Sequence, residues 1–129
     1  MEETLGKDEK LKGRKLIQLL FAEGNRVKSY PIQLVYIQNK LETEKPVKVG
    51  FSVPKRNVKL AVNRNRIKRL MREVYRKNKF LFWDEMNTNY YVFMFIYMAK
   101  EEIPYADLEK ALQQLCVKFT SKINENEQI

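Results

Sequence analysis

The side chains in this sequence that could do chemistry are mainly cations, and they crowd into one segment. Between Val53 and Lys79 the chain has eleven basic residues and a single acid, Glu73, which gives a local charge of +10. Because the whole chain of 129 residues carries +9, everything outside this segment sums to −1. A generally basic protein spreads its charge, whereas a binding site for a polyanion concentrates it. The sequence therefore predicts a surface that binds an anionic polymer.

Side chains for catalysis or metal binding are scarce. The sequence has no histidine and one cysteine, Cys116, which excludes an internal disulfide, the common zinc ligand sets and histidine-based acid–base catalysis. No carboxylate cluster adjoins the basic segment, so we predict no catalytic residue and no metal ligand in this chain. The N-terminus is charged and no apolar stretch reaches the roughly 18–20 residues of a membrane span. The predicted location is the cytoplasm.

A helix predicted over residues 61–77 displays the charge on one face. At about 100° per residue its apolar side chains fall on one side, where they would pack on a sheet. That side consists of Ile67, Leu70, Met71, Val74 and Tyr75. The opposite side consists of Asn65, Lys68, Arg69, Arg72 and Arg76. Neighbours three or four residues apart lie about 5–6 Å from each other, which suits successive phosphates of a nucleic acid.

Arg64 and Arg66 fall in the first turn of this helix, where the helix dipole disfavours cations, and we expect no acid nearby. A phosphate bound there would be favoured by free backbone N–H groups and by both side chains. Two alternatives are a merely solvated helix face and a helix on a membrane surface. Unmixed like charges, such as Lys68 and Arg72, disfavour the first, and the need of the apolar face for the core disfavours the second.

The remaining hydrophobic patterns predict an α+β fold in one domain, residues 1–129, with flexible ends at 1–9 and 123–129. In the first half of the chain we predict a helix over 11–23 ended by Gly24, then strands over 30–38 and 47–54 joined by a polar loop. In the second half the basic helix is followed by a turn over 84–89, a central strand over 90–98 and a closing helix over 104–122. The order is α-β-β-α-β-α, with one more short strand allowed, as a sandwich on a central mixed sheet.

The segment from Val49 to Arg56, Val-Gly-Phe-Ser-Val-Pro-Lys-Arg, precedes Ala-Val-Asn-Arg-Asn-Arg-Ile-Lys-Arg-Leu-Met-Arg-Glu at residues 61–73. Together they resemble the bacterial ribonuclease P protein component, whose signature is a strand, a basic dipeptide, a short loop and Ala-Val-x-Arg-Asn-Arg-x-Lys-Arg-x-x-Arg-Glu. Residues 61–73 match every fixed position of that signature, and a looser resemblance extends over about residues 9–120.

The resemblance implies a subunit of a ribonucleoprotein endonuclease that removes the 5′ leader from precursor tRNA. In that family the catalytic RNA subunit holds Mg²⁺ and performs the cleavage, while the protein has a ribosomal-protein-like fold with a left-handed βαβ crossover. The implied partners are the catalytic RNA and precursor tRNA, without a membrane or DNA. The implied RNA-binding residues are Lys55, Arg56, Arg64, Asn65, Arg66, Lys68, Arg69 and Arg72, and the wheel adds Arg76.

The resemblance also implies a cleft for the leader beside the first helix. Phe21 matches an aromatic position of that cleft, and Tyr36 is a candidate for its wall. Aromatic rings of this kind stack on unpaired bases, although packing in the core is an equal alternative for both residues. Two other functions stay open from sequence alone: a ribosome-associated structural RNA-binding protein with no enzymatic role, and an independent nuclease.

Overall fold

The protein consists of three helices and a four-stranded sheet. The computed structural model describes residues 14–39, 47–86 and 89–127, so the predicted flexible segment 1–9 and most of the predicted loop at 39–46 lie outside the described residues. The elements are α1 Arg14–Glu23, β1 Asn25–Ser29, β2 Ile32–Asn39, β3 Val47–Ser52, α2 Ala61–Trp83, β4 Tyr90–Tyr97 and α3 Tyr105–Glu127. The predicted α+β class is confirmed.

The sheet has the strand order β1-β2-β4-β3. β4 pairs antiparallel with β2 and parallel with β3, so the sheet is mixed and β4 lies inside it. Every residue of β4 after Tyr90 is buried, as its continuous apolar sequence predicts for a strand covered on both faces. The segment β3–α2–β4 is the parallel crossover that the family resemblance requires, and its left hand stays a prediction.

The register assigns side chains to the two faces of the sheet. Val35 pairs with Met94, and these residues pack with Leu20 of α1. The neighbouring positions Tyr36 and Phe93 point to the other face, because successive side chains of a strand alternate. That second face holds the larger core under α2 and α3, in which the Phe119 ring lies 4.9 Å from that of Tyr36 and 5.1 Å from that of Phe93.

Gly24 joins α1 to the sheet at very close range. Its N–H donates to the carbonyl oxygen of Leu20 at 2.8 Å, which ends the helix as predicted. A Cβ at this position would lie 2.2 Å from that oxygen and 2.9 Å from Cγ1 of Val35. Only glycine lets the chain turn this tightly from α1 into β1.

The structure adds one strand to the prediction and extends two helices. β1 is the extra strand that the sequence pattern left unresolved; its segment Asn-Arg-Val-Lys-Ser has one apolar residue and depends on pairing with β2. α2 continues past residue 77 because no glycine or proline interrupts it, and the buried Phe82 extends its packed face. α3 continues to Glu127 with Ile123 buried, so residues 123–127 belong to a helix, and the flexibility of the chain end stays a prediction.

Candidate nucleic-acid interface

α2 separates its apolar and cationic residues as the wheel predicts. Ile67, Met71 and Val74 are buried in the larger core, which fixes the rotation of the helix about its axis. Asn65, Arg69 and Arg72 on the opposite side are exposed. The first turn contains no acid, and Leu60 at the N-cap gives no side-chain cap. The cationic face of α2 is therefore turned outward on a rigid support.

Apart from Arg64, five of the predicted RNA-binding cations have no carboxylate partner among the described residues. Lys55 and Arg56 are exposed in the turn after β3, Lys68 is half-buried and Arg69 is exposed. The guanidinium of Arg72 lies 5.7 Å from the centre of the Phe51 ring, a cation–π contact that orients the side chain without neutralising it. These residues keep their full charge for a ligand.

Arg64 fastens the start of α2. Its Nη1 donates to the carbonyl oxygens of Val58 at 3.0 Å and Lys59 at 2.7 Å. Because the loop before the helix has no side-chain cap, these hydrogen bonds hold it against the first turn. The structure thus gives Arg64 a positioning role beside the predicted contact with RNA.

Arg66 has an acidic partner that the sequence did not reveal. Its Nε lies 3.0 Å from Oε1 of Glu102, and its Nη2 donates to Oδ1 of Asn63 at 2.9 Å. The prediction that no acid lies near the first turn is wrong, because the segment after β4 brings Glu102 to it. The side chains of Arg66 and Glu102 are 58% and 44% exposed, so the ion pair contributes about 0–1 kcal/mol to the stability of the fold. An RNA phosphate can therefore compete with Glu102 for Arg66.

Arg76 is paired along its own helix. Its Nε donates to Oε2 of Glu73 at 3.2 Å, and its Nη2 bonds the other carboxylate oxygen. The hydrogen bonds from Arg76 lower the pKa of the Glu73 carboxyl below its usual range. Arg76 is also only 24% exposed, so it is less available to a ligand than the exposed Arg69 and Arg72.

The two predicted cleft residues lie on opposite faces of the sheet. Phe21 is 42% exposed on α1, and the guanidinium of Arg26 lies 5.9 Å from the centre of its ring. Tyr36 is 2% exposed and packs in the larger core, where burial raises the pKa of its hydroxyl to about 12. The prediction for Tyr36 is therefore wrong, since a wall beside α1 needs the neighbouring strand position, which Val35 occupies.

Arg26 is the residue near this cleft that sequence reasoning missed. It lies on β1, the strand that the hydrophobic pattern did not resolve, and so its approach to Phe21 was not foreseeable. The sequence contains one signal for this contact, which is the short spacing. Arg26 follows Phe21 by five positions, with the helix-ending Gly24 between them.

A metal site or a membrane-spanning helix would indicate other functions. Within residues 14–39, 47–86 and 89–127, no group of three or more acidic or cysteine side chains is arranged to hold a metal ion. In the same part of the chain, no helix has the length and apolar character needed to cross a bilayer.

The fold and the cationic face of α2 define a small basic α+β domain of the polyanion-binding class. The sequence model of the family Ribonuclease P matches residues 5–120. The ribonuclease P protein component of Porphyromonas gingivalis is 31% identical over 121 residues, covering 92% of this chain and 88% of that protein. That of Chlorobium phaeobacteroides is 43% identical over 79 residues, covering 59% of this chain and 54% of that protein.

Solved structures agree on the fold. The ribonuclease P protein of Staphylococcus aureus superposes with a TM-score of 0.67 at 22% identity, covering 88% of this chain and 95% of that one. The protein from Thermotoga maritima gives 0.67 at 22%, covering 84% and 94%. This chain belongs to the ribonuclease P protein family, as residues 61–73 predicted. Its function is that of a subunit of the ribonuclease P endoribonuclease, and not of a ribosome-associated protein outside any enzyme.

Proposed function

We propose that this protein docks the catalytic RNA of ribonuclease P with the cationic face of α2 and contacts the 5′ leader of precursor tRNA on the α1 side of the sheet. The strongest support is the set of cations on α2 that have no carboxylate partner among the described residues, above all Lys68, Arg69 and Arg72. Their helix is fixed by its buried face, so they meet an RNA backbone without prior rearrangement.

The spacing of these cations suits a phosphate backbone. Lys68 and Arg72 are four residues apart, and Arg69 and Arg72 are three apart, so the Cβ atoms of each pair lie about 5–6 Å from each other. Arginine can bind two phosphate oxygens at once, which lysine cannot do. Lys55 and Arg56, exposed in the turn after β3, add two further cations to the segment that leads into α2.

The α1 side of the sheet has a different chemistry. Phe21 offers an exposed ring, and Arg26 lies over that ring with its charge available to a phosphate. A ring that stacks on a base, next to a cation that binds the backbone, is a common arrangement for holding single strands. Phe21 and Arg26 therefore form the proposed contact with the leader.

We assign Mg²⁺ mainly to the RNA subunit, where it would supply the activation of the attacking water and the stabilisation of the leaving group. This chain contributes fixed positive charge between two RNA molecules, which reduces their mutual repulsion. The proposed partners are accordingly the catalytic RNA and precursor tRNA, with no membrane or DNA partner, and the proposed location is the cytoplasm.

Cleavage of precursor tRNA by a bacterial ribonuclease P RNA, measured over a range of Mg²⁺ concentrations with and without this protein, tests the proposal. We expect the protein to lower the Mg²⁺ concentration needed for cleavage at the correct 5′ position. An unchanged Mg²⁺ requirement would contradict it. The protein alone with Mg²⁺ is the matched control, and cleavage in that tube would favour an independent nuclease.

A further inference from the structure

Two exposed apolar residues lie where α2 begins. Leu60 is 63% exposed and Val62 is 72% exposed, so the described residues leave both side chains largely uncovered. The backbone around them is held firmly: the N–H groups of Asn63 and Arg64 donate to the carbonyl oxygen of Leu60 at 3.1 and 3.0 Å. Val58 is buried just before them. The chain thus presents this pair on an ordered support.

Val62 shares its helix face with the proposed RNA-docking residues. Asn65 and Arg66 follow it by three and four residues and Arg69 by seven, so all four lie along one line of α2. Lys59 precedes Leu60 and is exposed. The apolar pair is therefore flanked along the chain by three basic residues and an amide, and only Arg66 among them has a carboxylate partner in the described part of the chain.

The surroundings select the partner. An anionic membrane would need a continuous apolar stripe, but the stripe of α2 is buried in the core. A folded RNA matches both parts of this surface: its phosphates suit the cations, and the flat apolar faces of its unpaired bases suit Leu60 and Val62. A duplex offers the phosphates but hides those faces in its stack.

We propose that Leu60 and Val62 form an apolar contact for an unpaired base of the catalytic RNA, at the N-terminal end of the cationic row. The inference rests on the proposed docking of that RNA by α2. It adds a part of the binding energy that does not depend on salt, since burial of apolar surface releases no counterions.

The test compares two double variants in binding to a bacterial ribonuclease P RNA. Leu60→Ala with Val62→Thr removes the pair at nearly constant volume for the valine. Leu81→Ala with Val117→Thr is the control, because Leu81 and Val117 are 47% and 69% exposed on α2 and α3, away from the cationic row. We expect about tenfold weaker binding for the first variant and none of this loss for the control.

Three readouts decide the matter. The slope of log affinity against log salt should be the same for Leu60→Ala/Val62→Thr as for the unchanged protein, and affinity for a fully paired RNA of equal length should not change. Unaltered affinity for the catalytic RNA would overturn the inference while leaving the docking by Arg69 and Arg72 intact. An equal loss on the paired RNA, or a flatter salt slope, would also overturn it. Thermal unfolding of both variants confirms that the fold is retained.

Discussion

The cationic face of α2 and the α1 side of the sheet are the two surfaces proposed to meet RNA, and they are built differently. On α2 several cations stand on a helix whose other face is locked into the larger core, so losing one leaves its neighbours in place. On the α1 side a single exposed ring and one arginine rest on a small cluster around Leu20. RNA binding at the α2 surface should therefore depend on the number of charges and on salt. Binding on the α1 side should depend on individual side chains.

The largest expected effect falls on α2. Arg69→Ala combined with Arg72→Ala should weaken binding of the catalytic RNA by about 100-fold or more, because each lost charge-assisted contact contributes at least about 1.5 kcal/mol. The free energy of unfolding should change by less than about 1 kcal/mol, since both side chains are exposed. Direct binding assays and denaturant unfolding measure the two quantities.

Lys110→Ala with Lys122→Ala is the matched control for that variant, because both lysines are exposed cations on α3. This change removes the same net charge from another surface. If it weakened RNA binding as much as the arginine variant, overall charge rather than the face of α2 would explain the affinity.

The next effect concerns the stability of the α1 side. Gly24→Ala should lower the free energy of unfolding by about 2 kcal/mol, because the new Cβ would meet the Leu20 carbonyl at 2.2 Å and force α1 away from the sheet. Ala22→Gly in the same helix is the control and should lose only about 1 kcal/mol through helix propensity. A neutral Gly24→Ala would show that α1 does not pack this closely.

Phe21→Ala should weaken binding of precursor tRNA by about tenfold while leaving mature tRNA unaffected, since loss of one base stack amounts to about 1–3 kcal/mol. Leu19→Ala is the control, because Leu19 is also 42% exposed on α1 and has no ring. Affinities of the holoenzyme for the two tRNAs measure the effect. Equal losses on both tRNAs would assign Phe21 to packing and leave the leader contact without its main residue.

The smallest effect tests a cation that the chain itself neutralises. Glu73→Gln removes the carboxylate charge beside Arg76 and should tighten binding of the catalytic RNA by about two- to threefold at neutral pH, in line with an exposed ion pair of about 0.2–1 kcal/mol. Because Arg76 lowers the pKa of Glu73, the carboxylate stays charged at neutral pH and is protonated only as pH falls through that lowered pKa.

The pH dependence supplies the check on that variant. Below the lowered pKa the protein with Glu73 also carries a neutral side chain there, so its affinity should converge with that of Glu73→Gln. A difference that persisted unchanged into acid would mean that the Glu73–Arg76 pair does not limit Arg76. The stabilisation by this pair likewise is present at neutral pH and is lost on the acid side.

Sequence reasoning was most successful where local periodicity decides the structure. α2 starts at Ala61 as predicted, and its faces are those of the wheel, because buried residues repeat along more than four turns. The prediction for Tyr36 was wrong because successive strand residues point to opposite faces of the sheet, and a shift of one position moves a side chain from the cleft to the core. Glu102 could not be assigned to Arg66, since only the crossover through β4 brings two segments so distant in sequence together.

The salt dependence of binding between this protein and the catalytic RNA tests the central claim most directly. If open cations on α2 bind phosphates, the plot of log affinity against log salt should be flatter for Arg69→Ala/Arg72→Ala by about one unit per lost contact, about two in all. Parallel plots for the two proteins would mean that these guanidinium groups do not touch the RNA backbone, and docking through α2 would be contradicted.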